Sequence, residues 1–274
     1  MPAHSMRYLA AAVQMSSSAD RADNVSRATA LIRSAATRGA RLVVLPEVFS
    51  WRGPRADEAG AFETIPGATT DALAALAREC GIYLCIGSIL EAAPGDDRAF
   101  NTSCLLDAGG NIVARYRKIH LFDVDLPGRV SVRESATRTP GEETVVVPTE
   151  LGALGLSICY DLRFPELYRR LVRAGAQVLL VPSAFTFPTG AAHWEVLCRA
   201  RAIESQCYVI APDQTGRSPH GFADFGESMI VDPWGRVLAR APDGEGVVSA
   251  EIDLDYLARV RSELPSLTHA RLDR

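Results

Sequence analysis

The chain has 274 residues, 47% of them apolar and 23% charged, with a net charge of −4 and a pI near 5.8. That is enough apolar material for a sizeable core without a metal or disulfide staple, and the charge balance excludes a strongly basic, nucleic-acid-binding face. No run approaches the ~20 apolar residues of a membrane span, and the N-terminal stretch lacks the basic start and apolar length of a secretion signal.

In chain order, "RYLAAAVQM" (7–15) reads as a buried strand. Residues 22–39 carry Val25, Ala28, Leu31, Ile32 and Ala35 at helical spacing, with Gly39 as a stop. "ARLVVLPE" (40–47) is a continuous apolar run of strand length closed by Pro46. Residues 68–81 read as a helix ending at a glycine, and "IYLCIGSIL" (82–90) as the next strand. "AFNTSCLLD" and "NIVARYRK" flank "AGGN", a hairpin signal.

The second half repeats the pattern. "LGALGLSIC" is a strand and "PELYRRLVRAG" a helix with Pro165 at its first position. Strand "AQVLLVPSAF", helix "GAAHWEVLCRARAIESQ" and strand "CYVIAPDQTG" follow. A hairpin turns at "DPWG", and residues 246–265 give a last strand and helix. No linker or low-complexity segment interrupts the series, so one domain over 1–274 is expected. Many strands lie in hairpins, which predicts mixed sheets, two of them packed together with helices outside. Two long irregular stretches, 122–143 and 213–227, are expected to be either functional loops or plain surface excursions.

The cysteines are Cys80, Cys85, Cys104, Cys159, Cys198 and Cys207. None has C-x-x-C or zinc-ligand spacing, and most lie in apolar runs, which reads as free thiols in a reducing, cytoplasmic compartment. No G-x-S-x-G, phosphate loop or G-x-G-x-x-G occurs. No metal or cofactor is expected.

Three residues share one placement. Cys159 follows an apolar strand and precedes a helix, where the dipole and exposed N–H groups favour thiolate; the alternative is a packed core thiol. Glu47 ends the run "LVVLP", as either a solvated turn residue or a partly buried acid of raised pKa suited to proton transfer. Lys118 stands just past a strand, where a solvated charge is the ordinary reading. Sites in α/β architectures collect at the carboxyl ends of strands. His120 and His193 are the alternative bases for a thiol, with His193 read as a pocket-wall residue; His4, His220 and His269 are poorer candidates.

"LVVLPEVF", "RYRKIHLFD" and "GLSICYDLRFPEL" together resemble the three signature segments of the nitrilase superfamily of carbon–nitrogen hydrolases, in the family's order. The resemblance extends from "AAAVQM" to "VDPWGRVLA". It implies an α/β, four-layer αββα sandwich that forms homodimers or larger assemblies. It implies Cys159 as nucleophile, Glu47 as proton shuttle and Lys118 as oxyanion stabiliser. Glu134, in "VRESAT", would be a second glutamate beside the lysine, and the Tyr160 backbone N–H would share the oxyanion. "CYDLRFPE" is similar to the amidase branch acting on small dicarboxylic monoamides and deaminated glutathione. Arg163 would pair a substrate carboxylate or, alternatively, Asp161 or Glu166; Phe185 and Thr189 are further pocket residues by resemblance. The implied reaction splits a small carboxylate-bearing amide into acid and ammonia through a thioester. The alternatives are an ω-amidase for α-ketoglutaramate-like substrates, an N-carbamoyl hydrolase, and a catalytically silent binding scaffold. Glu227, where relatives often have histidine, is an acid expected near the pocket rim.

Overall fold

Central strands that are apolar on both faces need cover on both sides, and the chain supplies it in layers. The computed structural model describes residues 6–217 and 221–272. Its strands are β1 (Arg7–Gln14), β2 (Ala40–Val44), β3 (Tyr83–Cys85), β4 (Ile89–Ala92), β5 (Ala99–Leu106), β6 (Ile112–Arg117), β7 (Asp123–Leu126), β8 (Val130–Arg133), β9 (Val145–Thr149), β10 (Gly152–Leu156), β11 (Val178–Leu180), β12 (Tyr208–Ala211), β13 (Thr215–Arg217), β14 (Ala223–Phe225), β15 (Met229–Val231), β16 (Val237–Arg240) and β17 (Gly246–Asp253). The helices are α1 (Arg21–Thr37), α2 (Ala68–Cys80), α3 (Pro165–Arg173), α4 (Phe187–Ser205), α5 (Leu254–Glu263) and α6 (Ser266–His269).

The first sheet runs β17-β1-β2-β3-β5, with β4 beside β3 along one edge of β5 and β6 along the other. The second runs β16-β15-β12-β11-β10-β9. Each has a parallel centre, β1-β2-β3 and β10-β11-β12, flanked by antiparallel strands. Alternation along β1 sorts its side chains between two layers. Tyr8, Ala10 and Ala12 join the core between the sheets, while Ala11 and Val13 pack with Ala28, Ile32, Leu73 and Ala77 of α1 and α2. Helices α3 and α4 cover the second sheet against β10 and β12. The architecture is the expected α/β sandwich, ordered helices, sheet, sheet, helices.

Two expectations need correction. The strand read over 82–90 is two strands, because Gly87 turns the chain at φ +67. A Cβ there would lie 2.0 Å from the Pro46 carbonyl oxygen, so only glycine allows this approach to the end of β2. The stretches 122–143 and 213–227 are not irregular throughout. Each folds a two-stranded ribbon, β7/β8 and β13/β14, beside the cleft described next. His4 and His220 lie outside the described residues.

Candidate active site

Glu47, Lys118 and Cys159 come from three separate strand ends and meet in one cleft of about 200 Å³. Pro46 cannot donate to the β2 ladder. The chain then crosses to the second sheet, where the Glu47 N–H donates to Ser183 O at 3.3 Å. The next residue, Val48, has φ +46, an outlier for a β-branched side chain. Lys118 leaves β6 with its N–H on Asn101 O (2.9 Å). The Cys159 N–H donates to Pro182 O (2.9 Å), which carries the β10/β11 pairing past the strand end. Cys159 itself has φ +47 and opens a 3₁₀ turn, Cys159–Arg163. Strained backbone beside two of the three groups fits a site that the surrounding sandwich holds in place.

The contacts inside the cleft are dense. Lys118 Nζ donates to Glu47 Oε1 (2.8 Å) and to Glu134 Oε2 (2.9 Å). The Cys159 thiol lines the same cleft as the Glu47 carboxylate, whose charge acts on it. Lys118 is 2% exposed and Glu47 5%, so neither is the solvated residue that ordinary strand-end placement suggested; Cys159 is 7% exposed. Burial opposes the Lys118 charge, but Glu134, Glu47 and Cys159 outweigh it and raise its pKa well above the usual value. Burial likewise works against the Glu134 carboxylate, yet Lys118 and the Phe122 N–H (2.6 Å) hold it below the ordinary range.

The thiolate expectation for Cys159 is corrected. Burial pushes the thiol well above its usual range and the Glu47 charge adds to that; Lys118 and the Ala184 N–H pull the other way and lose. The helix thought to favour thiolate begins only at Pro165, beyond the 3₁₀ turn. The thiol thus stays protonated beside the Glu47 carboxylate that lines the same cleft.

The remaining candidates line the same cleft. Tyr160 follows Cys159, and its N–H is not used by the turn's own hydrogen bonds. Arg163 lies over the rings of Tyr160 (5.7 Å) and Phe185 (5.4 Å) and contacts His193 Nδ1 (3.2 Å). Its alternative partners are otherwise placed. Asp161 is fully buried, accepting from Tyr116 Oη (2.6 Å) and the N–H groups of Ile158 (2.9 Å) and His120 (3.0 Å), while Glu166 is exposed. Phe185 packs on Trp194 and gives its N–H to Asp213 Oδ1 (2.9 Å). Thr189 lines the wall, but its hydroxyl is spent on Thr186 in the first turn of α4.

Neither histidine is beside the thiol. His120 Nδ1 meets Asp161 Oδ1 at 2.7 Å with its ring stacked on Phe164, and His193 is exposed on α4. Glu227 does not line the cleft: it pairs with Arg240 on the surface at 2.9 Å. Residue reading missed Asn101, whose Nδ2 donates to Glu47 Oε1 (2.8 Å) and Glu134 Oε1 (3.3 Å), tying the two acids together. Its signal was a polar side chain inside the apolar strand "AFNTSCLLD". It also missed the buried Arg52–Asp224 pair, which clamps the β13/β14 ribbon to the loop after Glu47.

A layered α/β sandwich with a buried Cys–Glu–Lys cluster at its strand ends defines a class, and the comparisons name it. The carbon–nitrogen hydrolase family model matches residues 9–262, and the chain belongs to that family. It is 45% identical to the human protein named deaminated glutathione amidase, over 97% of this chain and 83% of that one. It is 41% identical to human omega-amidase NIT2, over 96% of this chain and 95% of that one. The solved C. elegans NitFhit protein superposes with a TM-score of 0.90 at 41% identity, covering 97% of this chain and 65% of the worm chain. This chain is a carbon–nitrogen hydrolase.

Proposed function

We propose that the protein is an amidase that cleaves small carboxylate-bearing amides through a thioester on Cys159. The observation that carries this reading is that Cys159, Glu47 and Lys118 are buried in one cleft, with Lys118 bridging Glu47 and Glu134. Glu47 takes the thiol proton as sulfur attacks the amide carbon. Lys118 Nζ and the Tyr160 N–H receive the carbonyl oxygen as it becomes an oxyanion, a contribution of ~3–4 kcal/mol per donor. Glu47 then protonates the nitrogen, the C–N bond breaks and the amine leaves. Water attacks the thioester, Glu47 accepts its proton, and the acid departs as the thiol is restored. Glu134 and Asn101 hold Lys118 and Glu47 in register.

Arg163 is the proposed partner of the substrate carboxylate, with Phe185 and Thr189 shaping the wall behind it. A guanidinium resting on two aromatic rings is preorganised for that contact. The similarity to relatives named deaminated glutathione amidase and omega-amidase supports this substrate class. A primary ω-amide would free ammonia, whereas the secondary amide of a deaminated glutathione would free cysteinylglycine. We also propose a cytoplasmic enzyme that assembles at least as a homodimer. Exposed Phe187, Val196 and Ile203 on α4, with Trp234, support the assembly. Among the described residues no helix is long and apolar enough to cross a membrane.

The test is a release assay, scoring ammonia and free amine, on ω-amides, deaminated glutathione, N-carbamoyl amines and nitriles. Turnover confined to the carboxylate-bearing amides is expected. Comparable turnover of a nitrile would overturn the amidase reading.

A further inference from the structure

The mechanism asks one carboxylate to serve every proton transfer, so the placement of Glu47 matters as much as its chemistry. Lys118 and Asn101 hold its Oε1. Those contacts fix the tip of the side chain; its root lies in a strained turn. Glu47 leaves β2 after Pro46, and Val48 beyond it has φ +46. A β-branched residue in that conformation persists only where its surroundings over-determine it.

Hydrogen bonds from four other segments meet this turn. The Glu47 N–H donates to Ser183 O past β11 (3.3 Å). The Glu47 carbonyl accepts from Gln214 Nε2 (2.9 Å). The Val48 N–H donates to Ser88 Oγ between β3 and β4 (2.8 Å), and the Phe49 carbonyl accepts from Ser17 Oγ past β1 (2.8 Å). Gln214 bears on three of the four. Its own N–H shares Ser183 O (3.0 Å). Nε2 gives its second hydrogen to Ser17 Oγ (2.9 Å), while Oε1 accepts the Ser17 N–H (3.0 Å). Turned over, the amide would set Oε1 against the Glu47 carbonyl and Nε2 against the Ser17 N–H, so one orientation alone satisfies the site.

Gln214 is fully buried, stands immediately before β13 and does not line the cleft. Its contacts nevertheless reach both reacting groups. Pro182 O accepts the Cys159 N–H and the adjoining Ser183 O accepts the Glu47 N–H, so one short segment of the second sheet sets the nucleophile and the acid side by side. Gln214 binds that segment through its backbone and the Glu47 carbonyl through its side chain. We propose that Gln214 is a positioning residue for the reaction, its amide fixing where the Glu47 carboxylate stands relative to Cys159 across the two sheets. The proposal rests on the amidase reading and deepens it. An apolar side chain of the same length leaves the Glu47 carbonyl and the Ser17 groups unpaired in a dry site, and the turn relaxes.

The test compares Gln214→Met with Gln14→Met. Gln14 is also fully buried, and its side chain bonds Pro242 O, Gly244 O and the Ser228 N–H, each at 2.8 Å, but nothing in the Glu47 turn. Both variants should lose thermal stability by similar amounts. Gln214→Met is expected to lose roughly 20-fold or more in kcat on an ω-amide, with KM within about threefold. Gln14→Met should keep kcat within about threefold. In a Glu47→Gln background, Gln214→Met should cost less than about a further twofold, because the group it positions is already gone. Alkylation of Cys159 by iodoacetamide needs no substrate; its rate should move toward that of Glu47→Gln in Gln214→Met and stay unchanged in Gln14→Met. Should Gln214→Met fail to fold, Ser17→Ala cuts the same set more mildly and is expected to lose about fivefold in kcat. Unchanged kcat in whichever of these two variants folds, a full further loss in the Glu47→Gln background, or an equal loss in Gln14→Met would overturn the positioning role. Absence of turnover by the unmodified enzyme would overturn the amidase reading alone, and the alkylation rates would then decide the role of Gln214.

Discussion

Glu47 has two separable effects on Cys159. Its charge raises the thiol pKa, and in the proposed mechanism its carboxylate accepts the thiol proton. Glu47→Gln is therefore expected to speed alkylation of Cys159 by iodoacetamide at neutral pH while lowering kcat at least 100-fold. Parallel changes in both would contradict the shuttle role. Asp213 gives a second prediction. It is fully buried, and burial, opposed by the Phe185 N–H, pushes its carboxyl well above the usual range, with Asp224 and Glu47 adding to the shift. A raised folded-state pKa contributes stability below the unfolded value, about 3.9, and that contribution is lost as pH rises through the folded value. Asp213→Asn cannot ionise and keeps an acceptor for Phe185, so its Tm should fall less than that of the parent from pH 5 to pH 9. Glu47, Lys118 and Cys159 each close an apolar strand, but that placement left every one of them ambiguous; the family resemblance grouped them. Asn101 was not legible, because a strand polar group gives no hint of which face it serves. The thiol's protonation was misjudged because burial outweighs a helix terminus several residues away.

At the scale of elements, the cleft depends on ribbons that carry little core of their own. The β13/β14 ribbon is held by the buried Arg52–Asp224 pair and by Phe225 N–H to Phe185 O (2.8 Å). Removing one member of such a pair leaves a buried charge without its counter-ion, at a cost of about 3–5 kcal/mol. Asp224→Asn is expected to lower Tm by roughly 10 °C, read by calorimetry; a change under 2 °C would show that the clamp is dispensable. The main strands and helices were readable from period and punctuation: Gly39 and Gly81 do mark the ends of α1 and α2. The break at Gly87 was not, since its cause is the Pro46 carbonyl, which only the packed sheet brings near. The ribbons in 122–143 and 213–227 were hidden for a related reason: they are short, half-exposed pairs without the apolar runs that announce core strands.

Across the whole molecule, both sheets share a core in which β1, β2, β6, β10, β11 and β12 all bury side chains. The site is assembled from both sheets, Glu47 and Lys118 from the first and Cys159 from the second, so its geometry requires the two to fold together. We propose that residues 1–274 form one carbon–nitrogen hydrolase domain; a single calorimetric transition, with activity lost along the same curve, is the expected result. Stacked layers were legible from strands apolar on both faces, and the layer order followed from the family resemblance. What no strand pattern revealed was the pairing of strand ends across the sheets. The most direct test of the account is peptide-mapped mass spectrometry on enzyme quenched during turnover of an ω-amide. It should show a hydroxylamine-labile acyl increment on the Cys159 peptide, and Cys159→Ala should release no product. Full-rate product release by Cys159→Ala, or an acyl group borne only by another residue, would contradict it.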